Sequence, residues 1–453
     1  MRQGLIDDNR SAWLEALPPY ERLPPLRGQV NADLAIIGGG ITGVSTAWHL
    51  AERYPDRRVV LLEARGLGNG ASGRNGGQVL NGINGVEPRE AALAQRVFAA
   101  TSAGIDIVEA LAAASTIDCG FSRRGCLEVY TTEASAREAE ARVATWRDWG
   151  LPMRWLAGNG IGNAIGNGIG NAIGNAIGNA IGMHGIHGAV LDPTAGMVNC
   201  AALLRGLRPL LLARGVAVHE DTPVLRVEQG QPVILHTAEG SVRAAAVVVA
   251  TNAYTPQLGL FTRGILPLHS HVVATAPLSA DRWQQLGLAG FADDLDRIAY
   301  GGRMSDGRML FGGGSNAAYT CSFGGSPVFP ADAGARNFAA IEARMRGYFP
   351  SLADVPVTHR WTGPLAITFD RVCSMGVTGP RRNIYYALGY SGHGLALGAL
   401  AGRVIRDLYS DDHGPWQGLP FFQKRLPIIP PEPFRWLGYQ LYTRLTGRSP
   451  RQR

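Results

Sequence analysis

Charge is scarce in this sequence of 453 residues. Only 17% of the side chains are charged against 46% hydrophobic, which excludes a disordered, solvated chain and fits a folded one. Cysteine is scarce too. The five, Cys119, Cys126, Cys200, Cys321 and Cys373, are odd in number and include no C-x-x-C. That argues against a disulfide framework and a zinc site, so no metal is expected and a reducing, cytoplasmic setting is. No uninterrupted apolar run approaches the roughly 20 residues of a membrane span. Met1 to Arg10 carries charges but no apolar core, so no secretory signal is expected. The net charge of +7 comes from arginines spread along the chain rather than a compact basic block. With no recognisable module beside it, nucleic acid is not an expected partner.

What the chain does have is concentrated between Ala32 and Glu63. Leu34-Ala35-Ile36-Ile37 is a short apolar run of the buried parallel-strand kind, and it ends in Gly38-Gly39-Gly40. Gly38, Gly40 and Gly43 match G-x-G-x-x-G: a tight turn, close approach to a pyrophosphate, and close helix–strand packing. The helix that follows aims free N–H groups and its positive end at phosphates. Val59 to Leu62 forms the next strand, and Glu63 at its end can accept ribose hydroxyls. Together these specify dinucleotide binding, but not NAD against FAD.

The rest of the chain divides around this unit. Residues 1–27, with Trp13, Leu14, Leu17, Tyr20 and two Pro-Pro pairs, predict an arm on the surface of the main domain. Residues 66–78 hold so many glycines that a ligand loop is expected. Helices are expected over 88–112, 132–148 and 199–213, and strands at 125–130, 216–219, 224–228 and 242–251. The end of the last strand, Thr251-Asn252, is a second candidate dinucleotide contact. Strands and turns over 265–326 predict an antiparallel sheet separate from the parallel one.

Residues 158–181 are six copies of Gly-Asn-(Ala/Gly)-Ile. Glycine costs a helix about 1 kcal/mol per site relative to alanine, so the segment is expected to be a low-complexity insertion without catalytic role. Further on, Asn383 to Gly389 is a strand running into Tyr390-Ser391-Gly392-His393-Gly394 and a helix from Leu395 to Tyr409. This second strand–glycine–helix unit suits a large extended cofactor, with one helix end on the pyrophosphate and the other on the electron-rich edge of a ring.

At this point the chain resembles the D-amino-acid oxidase/glycine oxidase class of FAD-dependent oxidoreductases, and within it the gamma-glutamylputrescine oxidase branch. The resemblance rests on Asp33 to Gly43 with Glu63, Ala71 to Gln78, Asp306 to Gly313, Arg360-Trp361-Thr362-Gly363-Pro364 with Thr368 and Asp370, and Gly389 to Gly394. It spans nearly the whole chain except the repeat.

The resemblance implies an α/β fold, with a Rossmann-type parallel sheet domain for FAD and an interleaved antiparallel-sheet substrate domain. The expected FAD segments are 28–87, 185–260 and 355–412. The substrate segments are 88–157 and 261–354, with the repeat inserted at 158–182 and a tail at 413–453. Gly38, Gly40, Ile41, Thr42 and Gly43 would hold the pyrophosphate, and Glu63, Ala64 and Arg65 the adenosine ribose. Ser72, Arg74, Asn75, Gly76 and Gly77 would lie beside the pyrophosphate and flavin. Val224, Thr251, Asn252, Trp361 and Gly363 complete the expected contacts, with Gly392, His393 and Gly394 near the flavin O2 edge. The stretch Arg360 to Gly363 carries no cysteine where some relatives bond the flavin, so noncovalent FAD is expected; nearby Cys373 is the alternative.

The chemistry implied is removal of a hydride equivalent from the carbon beside an amine nitrogen, with the cofactor carrying the hard step and oxygen the expected acceptor. His393, or the helix end behind it, would stabilise negative charge on the reduced ring. Arg303 is a candidate partner for a substrate carboxylate or else a surface arginine. Tyr300 and His269 are candidate pocket residues or else core. Trp361 either walls the pocket or packs, and Asp370 either orients substrate or makes a turn. The tail mixes aromatics with arginines, as in Phe434-Arg435-Trp436, and could touch an anionic membrane, cap the domain or meet another subunit. Gamma-glutamylputrescine or a similar amine is the substrate expectation. The alternatives are an amino-acid dehydrogenase feeding a membrane acceptor and a catalytically silent flavin-binding protein.

Overall fold

A computed structural model describes residues 11–157, 182–327 and 335–446. The repeat, Met1 to Arg10 and the terminal arginines at 448, 451 and 453 lie outside the described residues.

The apolar run before the first glycines forms the centre of a sheet. Gly28–Ile37 pairs in parallel with Gly240–Val249 on one side and Val59–Leu62 on the other. Ile384–Leu388 and Ala217–His219 extend it in parallel at either flank. Such strands are covered on both faces, and the second half of the central strand, Leu34 to Ile37, is buried throughout. Ser374–Thr378 adds an antiparallel edge, and Arg226–Glu228 and Val233–His236 complete this first sheet.

Two helices with glycine at their starts lie side by side on it. Ile41–Arg53 packs on Gly394–Tyr409 through small residues. A Cβ added at Gly402 would stand 2.4 Å from Ser45 Oγ, and one at Gly398 would stand 2.7 Å from Ile41 Cγ2. Ser45 Oγ donates to the Ala399 carbonyl at 2.6 Å. Ala91–Ala114 packs on the second of these helices, where Gly104 faces the Ala396 backbone. By length and composition Ala91–Ala114 could cross a membrane, although no apolar run of that length is evident once Arg96, Asp106 and Glu109 are counted.

A second sheet of nine strands stands apart from the first. Its spine is Leu266–Pro277, paired antiparallel with Val357–Ile367 and Arg308–Gly313. It is mixed rather than purely antiparallel, because Gly290–Asp293 runs parallel to Cys126–Tyr130. Two strands from segments expected to serve the first sheet pair here instead: Gly188–Asp192 with Cys126–Tyr130, and Val357–Ile367 with the spine. Conversely Ala91–Ala114, from a substrate segment, contributes to the core of the first sheet. Local pattern marks a strand but not which sheet claims its edge.

The arm differs from expectation at its start. Residues 15–25 stay at the surface, while Ser11 to Leu14 are buried. Ser11 caps the short helix Ala12–Glu15, and Trp13 is 2% exposed. The Trp13 indole N–H donates to the Asn75 carbonyl at 2.9 Å, and Ser11 bonds the Gly73 carbonyl. Trp13 packs in one cluster with Trp361, Val272 and Leu310. Glu220, fully buried, then ties down the rest of the arm. It accepts from Tyr20 Oη at 2.6 Å, Leu23 N–H at 2.8 Å and Leu67 N–H at 2.6 Å.

Candidate active site

Both glycine corners open on one cavity of about 820 Å³. At the first, Gly38 has φ +106° and its added Cβ would stand 2.8 Å from the Ala250 carbonyl oxygen. A Cβ at Gly43 would stand 1.8 Å from the Gly38 carbonyl oxygen, so Gly43 closes the turn by packing and does not itself line the cavity. Gly40 caps its helix without a side chain, and the Ile41 N–H donates to Ser72 Oγ at 3.0 Å. The glycine-rich loop is thereby pinned across the helix end, where Gly40, Ile41, Thr42, Ser72, Arg74, Asn75, Gly76 and Gly77 all line the cavity.

Glu63 is 5% exposed at the far end of the same cavity, beside Ala64, Arg65 and Val224. It accepts the Gly39 N–H at 2.6 Å and the Arg65 N–H at 2.9 Å. Burial pushes its carboxyl up to about 7, against the pull of those backbone donors.

The second corner rests on left-handed backbone. Gly389 has φ +79°, Ser391 +50° and Gly392 +105°. Asn252, itself at φ +42°, accepts the Gly389 N–H at 2.9 Å, and Asn84 donates to the Ser391 carbonyl at 2.6 Å. Thr42 Oγ1 meets Tyr390 Oη at 2.8 Å, joining the two corners directly. Thr251, Asn252, Gly363, Gly392, His393 and Gly394 line the cavity here. His393 stands at the N-cap of Gly394–Tyr409 and makes no side-chain cap.

Tyr300 also lines the cavity, clamped between glycines. A Cβ at Gly76 would meet its ring at 2.9 Å, and one at Gly312 at 2.5 Å. Its hydroxyl meets Ser270 Oγ at 2.8 Å, and burial pushes its pKa up to about 12, so it stays protonated at neutral pH.

Three other candidates are not brought to the cavity. Arg303 is three residues along the strand Ala299–Arg303 from Tyr300, so it faces the other way. It is exposed, with its guanidinium carbon 5.4 Å from the Trp283 ring centroid. On Leu266–Pro277 the cavity takes Leu266, Leu268 and Ser270, which leaves His269 on the opposite face. His269 is 1% exposed and pairs with the Ser326 carbonyl at 2.9 Å. Trp361 is fully buried and donates to the Arg74 carbonyl at 2.9 Å, which makes it a support under the loop. None of the five cysteines lines the cavity, and Cys373 is 1% exposed with its thiol pushed up to about 12 by burial. No group of three or more possible metal ligands occurs among the described residues.

Sequence reasoning missed the remaining wall. Phe434, Arg435, Gly438, Tyr439 and Tyr442, all on the helix Phe434–Thr446, line the cavity, with Asp296, Arg297 and Tyr319 near them. The helical spacing of the tail aromatics was the available signal. For Asp296 and Arg297 there was none, because a charged pair between strands is ordinarily solvated.

The chain matches the model of the family "FAD dependent oxidoreductase" over residues 33–408. The chain belongs to this family. Gamma-glutamylputrescine oxidoreductase of Escherichia coli (strain K12) is 30% identical over 429 residues, covering 90% of each chain. Glycine oxidase of Geobacillus kaustophilus is 23% identical over 86% of this chain and 96% of its own. The crystal structure of that oxidase superposes with a TM-score of 0.72 over 87% of this chain and 99% of that one, at 22% identity. As an FAD-dependent oxidoreductase, the protein has an α/β fold with a Rossmann-type parallel sheet domain. The residues present fit FAD. The turn at Gly38 and Gly40 leaves no room for a Cβ, and two helix N-termini that receive no side-chain cap from their own N-cap residues meet one cavity that also takes in Glu63 and His393.

Proposed function

We propose that the protein oxidises the C–N bond of an amine, gamma-glutamylputrescine or a related compound, and that oxygen reoxidises the cofactor. The observation that carries this reading is the single cavity shared by two glycine corners, Tyr300 and the aromatic tail helix. Bound FAD supplies acceptance of the hydride equivalent from the carbon beside the amine nitrogen.

The chain's own residues then have these roles. The first corner and the loop of Ser72, Arg74, Asn75 and Gly76 hold the pyrophosphate, and Glu63 with Ala64 and Arg65 holds the ribose. Val224, Thr251, Asn252 and Gly363 flank the cofactor. The second corner, with His393, would offer the positive end of a helix to the negative charge that a reduced flavin carries. Tyr300, held protonated, bounds the reacting face and orients the substrate rather than acting as a base. A neutral amine has the lone pair that assists hydride departure, so no protein base is required. FAD is held noncovalently, since every thiol is buried away from the cavity. Five unpaired thiols support a cytoplasmic setting.

Leu437, Leu441 and Leu445 are 51%, 59% and 73% exposed on the outer face of the tail helix. They favour a second reading, a dehydrogenase that meets a membrane surface and passes electrons to an acceptor there. The test is the absorption spectrum of purified protein, then anaerobic addition of an amine panel, then oxygen uptake. Flavin bleaching by one amine with oxygen uptake supports the first reading. Bleaching that reverses only with an added acceptor supports the second. Failure of every amine to bleach bound flavin rejects both.

A further inference from the structure

The part of the cavity walled by the tail helix holds two opposite charges that do not meet each other. Arg297 is 7% exposed, and its Nε donates to Asn316 Oδ1 at 2.8 Å. Its guanidinium carbon lies 4.9 Å from the Tyr442 ring centroid. Asn316 in turn donates to the Thr443 carbonyl at 2.9 Å, so the tail helix fixes the guanidinium from both sides. Its Nη2 is buried and has no hydrogen-bond partner among the described residues. The neighbouring Asp296 is half-buried and lines the same cavity. Its carboxylate makes no hydrogen bond or ion pair among the described residues. Two tyrosines of this wall are engaged elsewhere: Tyr319 donates to the Ile298 carbonyl and Tyr439 to the Tyr319 carbonyl, each at 2.9 Å.

A buried donor without a partner is costly, and a guanidinium held in place by fixed neighbours is matched to a carboxylate. An aspartate beside it is matched to an ammonium. We propose that Arg297 and Asp296 form a specificity subsite for the zwitterionic head of an α-amino acid. The inference rests on the amine-oxidising reading above and narrows it. An ammonium paired with Asp296 is kept charged and has no lone pair for hydride departure. The nitrogen beside the oxidised carbon is therefore a second one. The substrate class is an amine joined through a spacer to an α-amino-acid head, and neither a simple monoamine nor a simple amino acid fills the site.

The test uses the FAD-loaded protein and steady-state kinetics with gamma-glutamylputrescine and two analogues, one lacking the α-carboxylate and one lacking the α-amine. Each deletion is expected to raise KM about 10- to 100-fold, with a smaller change in kcat. Arg297→Met is expected to raise KM for the full substrate by the factor that carboxylate deletion produces, and to leave the carboxylate-free analogue within about twofold. Arg297→Lys keeps the charge and recovers part of the loss. Asp296→Asn does the same for the α-amine. The substrate analogues need no variant, so misfolding of Arg297→Met leaves the answer intact. Turnover that ignores both deletions overturns the subsite while the amine reading stands. Equal losses on all substrates in Arg297→Met, at normal FAD content, also overturn it. Bleaching by no amine overturns both.

Discussion

The two glycine corners look alike in sequence and are required for different reasons. At the first, Gly43 is demanded by volume alone, because the position of its Cβ is already filled by backbone, while Gly38 beside it carries both a clash and a φ of +106°. At the second, glycine is demanded by torsion: Gly392 has φ +105° yet nothing within 4 Å of an added Cβ. The first corner is a packed joint, and the second is a bent one held by Asn252 and Asn84. Steric joints break outright and torsional ones yield.

The largest effect that separates them is expected from Gly43→Ala. The carbonyl of Gly38 cannot recede without unmaking the turn, so a loss above about 4 kcal/mol and colourless or insoluble protein are expected, read from flavin content and urea unfolding. Trp13→Ala acts on the first joint from outside. Loss of a buried indole costs about 3–5 kcal/mol, and flavin retention should fall with it, measured by equilibrium unfolding and FAD titration. Neither side chain position takes part in the bonds from Asn252 and Asn84 that hold the second corner.

The third comparison is electrostatic. Glu63 at the first corner has a native pKa of about 7 against 4.5 in a solvated glutamate. The native state therefore holds its proton to higher pH than the unfolded chain does. Stability of the FAD-free protein is greatest below pH 4.5 on this account and is lost as pH rises through 7, by up to about 3 kcal/mol. Unfolding midpoints at pH 5 and pH 8 should show the drop, and Glu63→Gln should flatten it. Gly392→Ala tests the bent joint. About 1–3 kcal/mol of backbone strain is expected, with FAD still bound but more weakly. If Gly392→Ala is as damaging as Gly43→Ala, the distinction between the joints fails. Smallest of all, Arg303→Ala should keep stability within about 0.5 kcal/mol and kcat/KM within about twofold, because the side chain faces away from the cavity.

Much of the first sheet was legible because its signals are local. Ile36-Ile37 running into Gly38 announces strand, turn and helix within a dozen residues, and Gly389 to Gly394 does so again. What was not legible depended on strand phase and on distance. Tyr300 and Arg303 were equal candidates until the strand placed them on opposite faces, and His269 lost to Ser270 for the same reason. Strand phase is set by the pairing partner, which lies far away in the chain. Trp13 sits in a short segment ahead of two Pro-Pro pairs, and its carbonyl partner Asn75 is 62 residues on. Asp296 and Arg297 gave no sign, since Arg297 leaves water only beside Tyr442 of the tail helix, which lies far along the chain.

The joint between Ile41–Arg53 and Gly394–Tyr409 has a consequence for how the protein comes into being. Its two halves are separated by more than three hundred positions, and the tail helix closes the same chamber later still. Loops of that length close late and slowly. During synthesis the early half of the joint is therefore made several hundred residues before its partner, and a cofactor that needs both helix ends is expected to be held only once Gly394–Tyr409 has been added.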